Sequence, residues 1–276
     1  MSRFLHSALK GVLKPSELSS LVSGFDIIGD IALLRIPDAL LESKYLIARA
    51  VLDGIKPIKT VLKAGGVTGQ FRTRDVEFLM GEKKTRTMYV EHGCRFIVDV
   101  NLVYFSPRLS TERLRIANEV SPGEVVVNMF AGVGSFSVIT SKIQRDCRVF
   151  NIDINPAAHS LAIENIRLNH LEKRVIPLLG DAKEVIREKL VGTADRILMV
   201  LPEKSHLYLR DALIALRPTG GVIHCYTFLP VGANLDDFIE RNMPKAPNFS
   251  VTVNKSIRVG EVGPKLYRYR IDLVAR

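Results

Sequence analysis

The sequence predicts an α/β protein. A parallel sheet with helices on both faces is expected over residues 106–276, preceded by a small α+β domain over residues 1–105. Three observations predict this. Beyond Val103, short apolar runs alternate with segments of helical spacing. A Gly132-x-Gly134 turn joins the first of those runs to a helix, and before residue 105 paired strand signals flank two tight turns. A length of 276 residues suits two domains.

The elements follow in order. Arg3, Lys10 and Lys14 precede the first acid, Glu17, as in a transit peptide. No small-residue cleavage pattern or long apolar run follows, so the first helix of a folded domain is the expectation. Residues 25–36 read as two strands about Gly29 and Asp30. Pro37 and Asp38 open a helix to about Leu52, with Leu40, Leu41, Ile47, Ala48 and Val51 near helical spacing. Met88 to Val100 alternates about His92 and Gly93 as a second hairpin. Ser106 and Pro107 cap a helix to about Val120. Strands at 125–127, 148–152, 175–179, 197–201 and 221–226 then alternate with helices at 136–142, 157–168 and 206–216.

Composition narrows the function. Hydrophobic residues at 47% and charged residues at 25% exclude disorder or a collagen-like repeat as the main state. No run approaches the ~18 apolar residues of a membrane span. A net charge of +10 and a pI near 9.6 favour a polyanionic partner. Candidate contacts are Lys56, Lys59, Lys63, Arg72, Arg74, Lys83, Lys84, Arg86, Lys255, Arg258, Lys265, Arg268 and Arg270. Trp is absent, so base stacking would fall to Tyr, Phe, His or Arg planes. Cys94, Cys147 and Cys225 form no C-x-x-C unit, so buried thiols are expected, with neither zinc nor disulfides.

The strongest local signal is the run from Val125 to Ser137, in which a strand enters a glycine turn and then a helix. Phe130, Ala131, Gly132 and Gly134 would bring backbone N–H groups close to a ligand. Asp153 ends the next strand, where an acid can accept hydrogen bonds from ribose hydroxyls. Ser137 stands where a dinucleotide fingerprint has a third Gly or Ala, which disfavours NAD. S-adenosylmethionine has no pyrophosphate; it needs room for an amino-acid moiety, an acid for its ribose and an edge for its adenine. Asp181 follows the third strand, where it either meets an adenine amino group or caps a helix.

Tyr104 to Arg113 (YFSPRLSTER), Asn128 to Ser137 (NMFAGVGSFS), Asp153 to Pro156 (DINP), Glu164 to Asn169 (ENIRLN) and Ala194 to Ile197 (ADRI) resemble the archaeal and eukaryotic tRNA (guanine-37-N1)-methyltransferases. The wybutosine-pathway aminocarboxypropyltransferases share much of this frame. The likeness runs from about Val67 to the C-terminal YRIDL. It implies a class I, Rossmann-like S-adenosylmethionine-dependent domain and a tRNA substrate met at its anticodon loop. By position it places Tyr104, Phe130, Ala131, Gly132, Gly134, Asp153, Asn155 and Asp181 at the cofactor. Glu112 falls on the family's general base and Arg72 on its catalytic arginine, while Arg108, Arg113 and Pro202 fall at the substrate. On spacing alone, Glu112 is equally a helix residue paired with Arg108 or Arg115. An N-terminal RNA-elbow domain found in some members is expected to be missing.

The chemistry fits those residue types. N1 of guanine carries a proton that must leave before its lone pair can attack, so a carboxylate can serve as base. An arginine can stabilise the charge that then spreads toward O6. No metal is required. Three departures from the resemblance bear on the acceptor: Val200 stands in a motif that usually has Asn, Asn128 replaces an acid, and Ser135 replaces a frequent Pro. The expectation is therefore a tRNA methyltransferase acting at N1 of guanosine-37, with methylation of a wyosine precursor there as a variant. Alternatives are 3-amino-3-carboxypropyl transfer and a non-catalytic tRNA-binding paralogue. A cytoplasmic monomer without metal or membrane attachment is expected.

Overall fold

The computed structural model describes residues 2–22, 24–243 and 248–276; the side chains of Ser2 and Arg3 also lie outside the described residues. The chain divides into two compact units, Met1–Ser110 and Thr111–Arg276.

In the first unit, α1 (Ser2–Leu9) and α2 (Pro15–Ser19) precede the hairpin β1 (Asp26–Ile28) and β2 (Ile31–Leu34). The helix expected from Asp38 is split: a 3-10 turn at Asp38–Leu40 is followed by α3 (Lys44–Gly54). Ser43 interrupts the two and donates its hydroxyl to Glu17 Oε1 at 2.7 Å. Strands β3 (Thr60–Thr68) and β4 (Thr73–Gly81) complete a four-stranded sheet in the order β1-β2-β3-β4. Leu5, Leu9, Leu34, Ile47, Val51 and Val61 are among the residues of its apolar core. The hairpin β5 (Arg86–Glu91) and β6 (Cys94–Asp99) turns through His92 and Gly93, both at positive φ, the primed geometry that matches strand twist.

The first unit closes with a 3-10 turn at Pro107–Leu109, and α4 (Ser110–Glu119) leads into the second. There follow β7 (Val125–Asn128), α5 (Ser135–Ile143), β8 (Arg148–Asp153), α6 (Pro156–Leu168), β9 (Val175–Leu179) and α7 (Ala182–Val185), the last continued by a π-turn at Ile186–Leu190. Then come β10 (Arg196–Met199), a 3-10 turn at Ser205–Tyr208, α8 (Leu209–Ala215), β11 (Gly221–Pro230), α9 (Leu235–Asn242), β12 (Val251–Gly263) and β13 (Leu266–Ala275). The seven strands are ordered β12-β13-β11-β10-β7-β8-β9. Strands β11, β10, β7, β8 and β9 are parallel, and β13 is antiparallel to both β11 and β12. This is the class I doubly wound order, with its switch point between β7 and β10. Val127, Ile152, Ile197, Ile223 and Leu273 are fully or almost fully buried within it.

Three differences from the expected elements have physical causes. Strand β10 stops at Met199, where the Ser205 hydroxyl lies 2.7 and 2.9 Å from the Met199 and Leu201 carbonyls, its single proton shared between them, and ties the Val200–Lys204 segment into a turn. Strand β11 runs to Pro230 rather than Tyr226 because β13 pairs with it along its whole length. Strands β12 and β13 themselves were not expected: β12 is an almost wholly exposed edge, and β13 buries Arg268, Arg270 and Asp272 where an apolar alternation would have announced it.

Candidate functional site

The carboxyl ends of β7 and β8 build one half of the site. Met129 N–H donates to the Leu198 carbonyl and Ala131 N–H to the Ile152 carbonyl, each at 2.9 Å, which pins the glycine turn to the strands on either side. Gly134 sits at φ 83, and a Cβ there would lie 3.3 Å from Asn151 Oδ1, so glycine serves both the backbone sign and the close approach. Asp153 accepts from Gly132 N–H at 2.6 Å through one oxygen and from Asn155 N–H at 2.9 Å through the other. Burial pushes the Asp153 carboxyl above the usual carboxylate range, while those two N–H groups hold it down. A carboxylate can accept more bonds than these, so capacity is left for a ribose hydroxyl. Asn155 caps α6 by accepting from Ala157 N–H at 2.9 Å.

Asp181 takes the helix-capping role, one of the two expectations made of it. Its Oδ1 caps α7 by accepting from Lys183 N–H at 2.8 Å, and its Oδ2 lies 3.5 Å from the Tyr208 hydroxyl. The Tyr208 ring packs edge-on to Phe130 at 4.9 Å, with Lys183 Nζ 4.5 Å from its centroid. Sequence reasoning missed Tyr208, which sat inside a segment read simply as helix. It also missed the buried amide Asn151, whose register partner on β7 is Asn128, the residue noted above as replacing an acid. Asn128 donates to Ser137 Oγ at 3.1 Å, but its Oδ1 and both amide atoms of Asn151 have no partner among the described residues.

Within the first unit, Arg72 and Arg74 flank Tyr104, with guanidinium carbons 4.9 and 5.3 Å from the ring centroid. Asp26 accepts from Arg108 Nε at 2.8 Å and lies 3.8 Å from Arg74 Nη1. Three guanidinium groups therefore gather around one carboxylate and one aromatic face. Arg72 is held at φ 55 in the β3–β4 turn, a left-handed conformation costly for a non-glycine residue.

Glu112 lies on α4 with only 2% of its side chain exposed. Its Oε1 accepts from the Tyr226 hydroxyl at 2.8 Å and from Arg270 Nη1 at 3.0 Å, and its Oε2 accepts from Arg115 Nη1 at 2.7 Å. The pairing with Arg115 is the helical one anticipated; Arg108 pairs with Asp26 instead. Burial drives the Tyr226 phenol well above its ordinary range and the Glu112 charge adds to this, so it stays a donor.

Several expected roles need correction. Arg113 is 1% exposed with its guanidinium 5.9 Å from the Phe136 ring, a packing position that offers no surface to a substrate. Arg270 and Arg268 are buried rather than available to phosphates. Pro202 is buried in the turn organised by Ser205. Glu119, His224 and Asp272 offer ligand atoms within 4.8 Å of one another, as a metal site would. Arg196 Nη1, however, lies 2.7 Å from His224 Nε2, and Arg270 Nη2 donates to both Glu119 and Asp272, so guanidinium groups fill the positions a cation would need.

Comparison with known proteins gives the family. Residues 87–253 match the TRM5/TYW2 methyltransferase domain, and residues 5–85 match the TYW2 N-terminal domain. The chain is 40% identical over 277 residues to the tRNA (guanine(37)-N(1))-methyltransferase Trm5b of Pyrococcus abyssi, covering 99% of this chain and 81% of that protein. It is 33% identical to the tRNA 4-demethylwyosine(37)-methyltransferase Taw21 of Saccharolobus solfataricus, covering 91% of this chain and 93% of that one. A solved complex of aTrm5 with tRNALeu superposes with a TM-score of 0.85 at 34% identity, over 99% of this chain and 78% of the other. With the methyltransferase domain matched over residues 87–253, more than half of the chain, and a relative 40% identical over nearly all of it, the chain belongs to the TRM5/TYW2 methyltransferase family.

Proposed function

We propose that this chain is a cytoplasmic tRNA methyltransferase that uses S-adenosylmethionine to modify N1 of guanosine-37 in the anticodon loop. The observation that carries this reading is the 40% identity to a guanine-37-N1 enzyme across nearly the whole chain. The residues of the glycine turn suit the cofactor. Asp153 retains acceptor capacity for ribose hydroxyls, Asp181 and Tyr208 offer polar atoms for an adenine edge, and Asn128 Oδ1 is an acceptor without a partner among the described residues. Tyr104 joins this set by resemblance. When bound, the sulfonium supplies an electrophilic methyl group.

The chain's own residues do the rest. Glu112 takes the N1 proton, and Arg72 stabilises the charge that develops toward O6. Arg72, Arg74 and Arg108 engage the RNA, so the region over residues 1–105 contributes to tRNA contact, while residues 106–276 together with Tyr104 hold the cofactor. We take the working form to be a monomer that needs no metal.

A second reading has specific support. The match to a TYW2 N-terminal domain and the apolar Val200 favour 3-amino-3-carboxypropyl transfer, and the likeness to Taw21 favours methylation of a wyosine precursor. Incubation of the protein with transcript tRNA and cofactor labelled separately on methyl and carboxyl groups separates these. Methyl label at nucleotide 37, located by fragment mass spectrometry, is expected. Carboxyl label alone, label only on a wyosine intermediate, or salt-sensitive RNA binding without transfer would each replace the assignment.

A further inference from the structure

The Glu112 carboxylate has two inequivalent oxygens, and the groups around them differ in exposure. Oε1 receives two donors from the sheet, the Tyr226 hydroxyl and Arg270 Nη1. Both side chains are fully buried. Oε2 receives Arg115 Nη1, whose side chain is 40% exposed. Protonating Oε1 would break two buried hydrogen bonds, whereas Oε2 has one hydrogen-bond partner among the described residues, Arg115, which reaches solvent.

We infer that Arg270 and Tyr226 are positioning residues for Glu112, clamping Oε1 so that Oε2 is the oxygen that receives the guanine proton once Arg115 moves aside. This rests on the proposed role of Glu112 as base. In that step the N1–H bond breaks, an Oε2–H bond forms, and the electron pair remains on the purine.

The clamp is itself held. Tyr226 and Arg270 stand directly opposite each other on β11 and β13, as do His224 and Asp272 two residues further along. Glu112, Arg115 and Glu119 share one face of α4 by helical spacing. Arg270 Nη2 donates to Glu119 Oε1 at 2.8 Å and to Asp272 Oδ2 at 2.9 Å. Burial disfavours the Arg270 charge, but Asp272, Tyr226 and Glu112 outweigh it and keep the guanidinium ionised.

Arginine only donates, so Arg196 Nη1 fixes His224 Nε2 as an acceptor and leaves Nδ1–H to donate to Asp272 Oδ1 at 2.6 Å. Arg196 is in turn held by both carboxylate oxygens of Glu124, at 2.7 and 2.9 Å. The charged and titratable groups packed toward Glu112 are thus Arg115 and Glu119 from α4, Tyr226 and His224 from β11, and Arg270 and Asp272 from β13. Behind them stand Arg196 from β10 and Glu124 before β7. Such a frame fixes one arrangement of the carboxylate.

The test is single-turnover methyl transfer to a guanosine-37 transcript with Tyr226→Phe, Arg270→Lys, Arg270→Met and Glu112→Gln, across pH, with melting temperatures alongside. Tyr226→Phe removes one donor to the ionised carboxylate and little volume. It is expected to lower the maximal rate about 10-fold and to move the acid limb of the pH–rate profile upward by about one unit, with KM for tRNA and cofactor within about twofold. Arg270→Lys should recover part of what Arg270→Met loses, and Tyr226→Phe should add nothing in a Glu112→Gln background. If Glu112→Gln abolishes transfer but Tyr226→Phe leaves the acid limb in place, the positioning role is overturned and the base survives. If Glu112→Gln transfers at the wild-type rate, the base assignment falls and takes the clamp with it.

Discussion

Arg270 on β13 donates from Nη1 to Oε1 of Glu112 on α4 at 3.0 Å, across 158 residues of chain. Both residues are essentially buried, so the pair is a charge contact withdrawn from water. Removing one partner of such a pair typically costs about 3–5 kcal/mol because the survivor is left uncompensated. Glu112→Ala should therefore unfold at markedly lower urea concentration than Glu112→Gln, which keeps an acceptor for Arg270. Both should lower methyl transfer by about 10²–10⁴-fold, the range expected for a lost general base. Equal activity in Glu112→Gln and wild type would remove the base.

Arg72 separates strain from chemistry. Held at φ 55, it gains backbone freedom on replacement by glycine but loses its guanidinium over Tyr104. Arg72→Gly is expected to be at least as stable as Arg72→Ala by thermal melting, while both lose about 10²–10³-fold in the rate of transfer. Retained activity in the glycine variant would show that the side chain does not act on the reaction.

Asp153→Ala tests the ribose contact. The change deletes the acceptor of Gly132 N–H and the oxygens proposed for the ribose hydroxyls. Affinity for S-adenosylmethionine or its demethylated product should fall roughly 10–100-fold in calorimetry, with tRNA affinity little altered. An unchanged cofactor dissociation constant counts against this site.

Gly134→Ala probes the turn above. With φ 83 and a new Cβ 3.3 Å from Asn151 Oδ1, the substitution should destabilise the fold by about 1–2 kcal/mol in urea titration. It should also weaken cofactor binding by disturbing the loop. A variant as stable as wild type would mean that the loop adopts another path.

His224 gives stability a pH dependence. Burial lowers its pKa from the ordinary 6.5, Asp272 opposing, and keeps the ring neutral in the fold. Below pH 6.5 the unfolded chain binds a proton that the fold refuses, so stability drops as pH falls toward the folded value, by up to about 1.4 kcal/mol per unit. Asp272, lowered from 3.8 because His224 and Arg270 outweigh its burial, adds a loss at still lower pH. Asp153, raised above 3.8 by burial, acts oppositely and loses stability as pH rises through its own window. Urea unfolding at pH 7.5, 6.5 and 5.5 should show a decline that His224→Gln flattens; parallel slopes for the two proteins would exclude His224 as its source.

Much of the site was legible before any coordinates. The apolar strand at 125–127, the glycine turn and the acid at Asp153 are contiguous in sequence, so local backbone preference alone assembles them. The caps at Asn155 and Asp181 were readable for the same reason: each side chain bonds an N–H two residues ahead. The hairpin at His92 and Gly93 was equally local. The resemblance placed Glu112 and Arg72, but nothing nearby in sequence showed what surrounds them.

The sequence by itself determined the doubly wound core and the glycine turn, because hydrophobic periodicity and turn chemistry act over a few residues. Only the tertiary structure decided that Arg270, expected among the RNA-contacting basic residues, and Asp272, given no role, pack inward, Arg270 onto Glu112 and Asp272 onto Arg270. That decision belongs to strand pairing. In the β11–β13 register, Tyr226 faces Arg270 and His224 faces Asp272, so charges that interrupt an apolar pattern along one strand find partners across the sheet and on the helix above it.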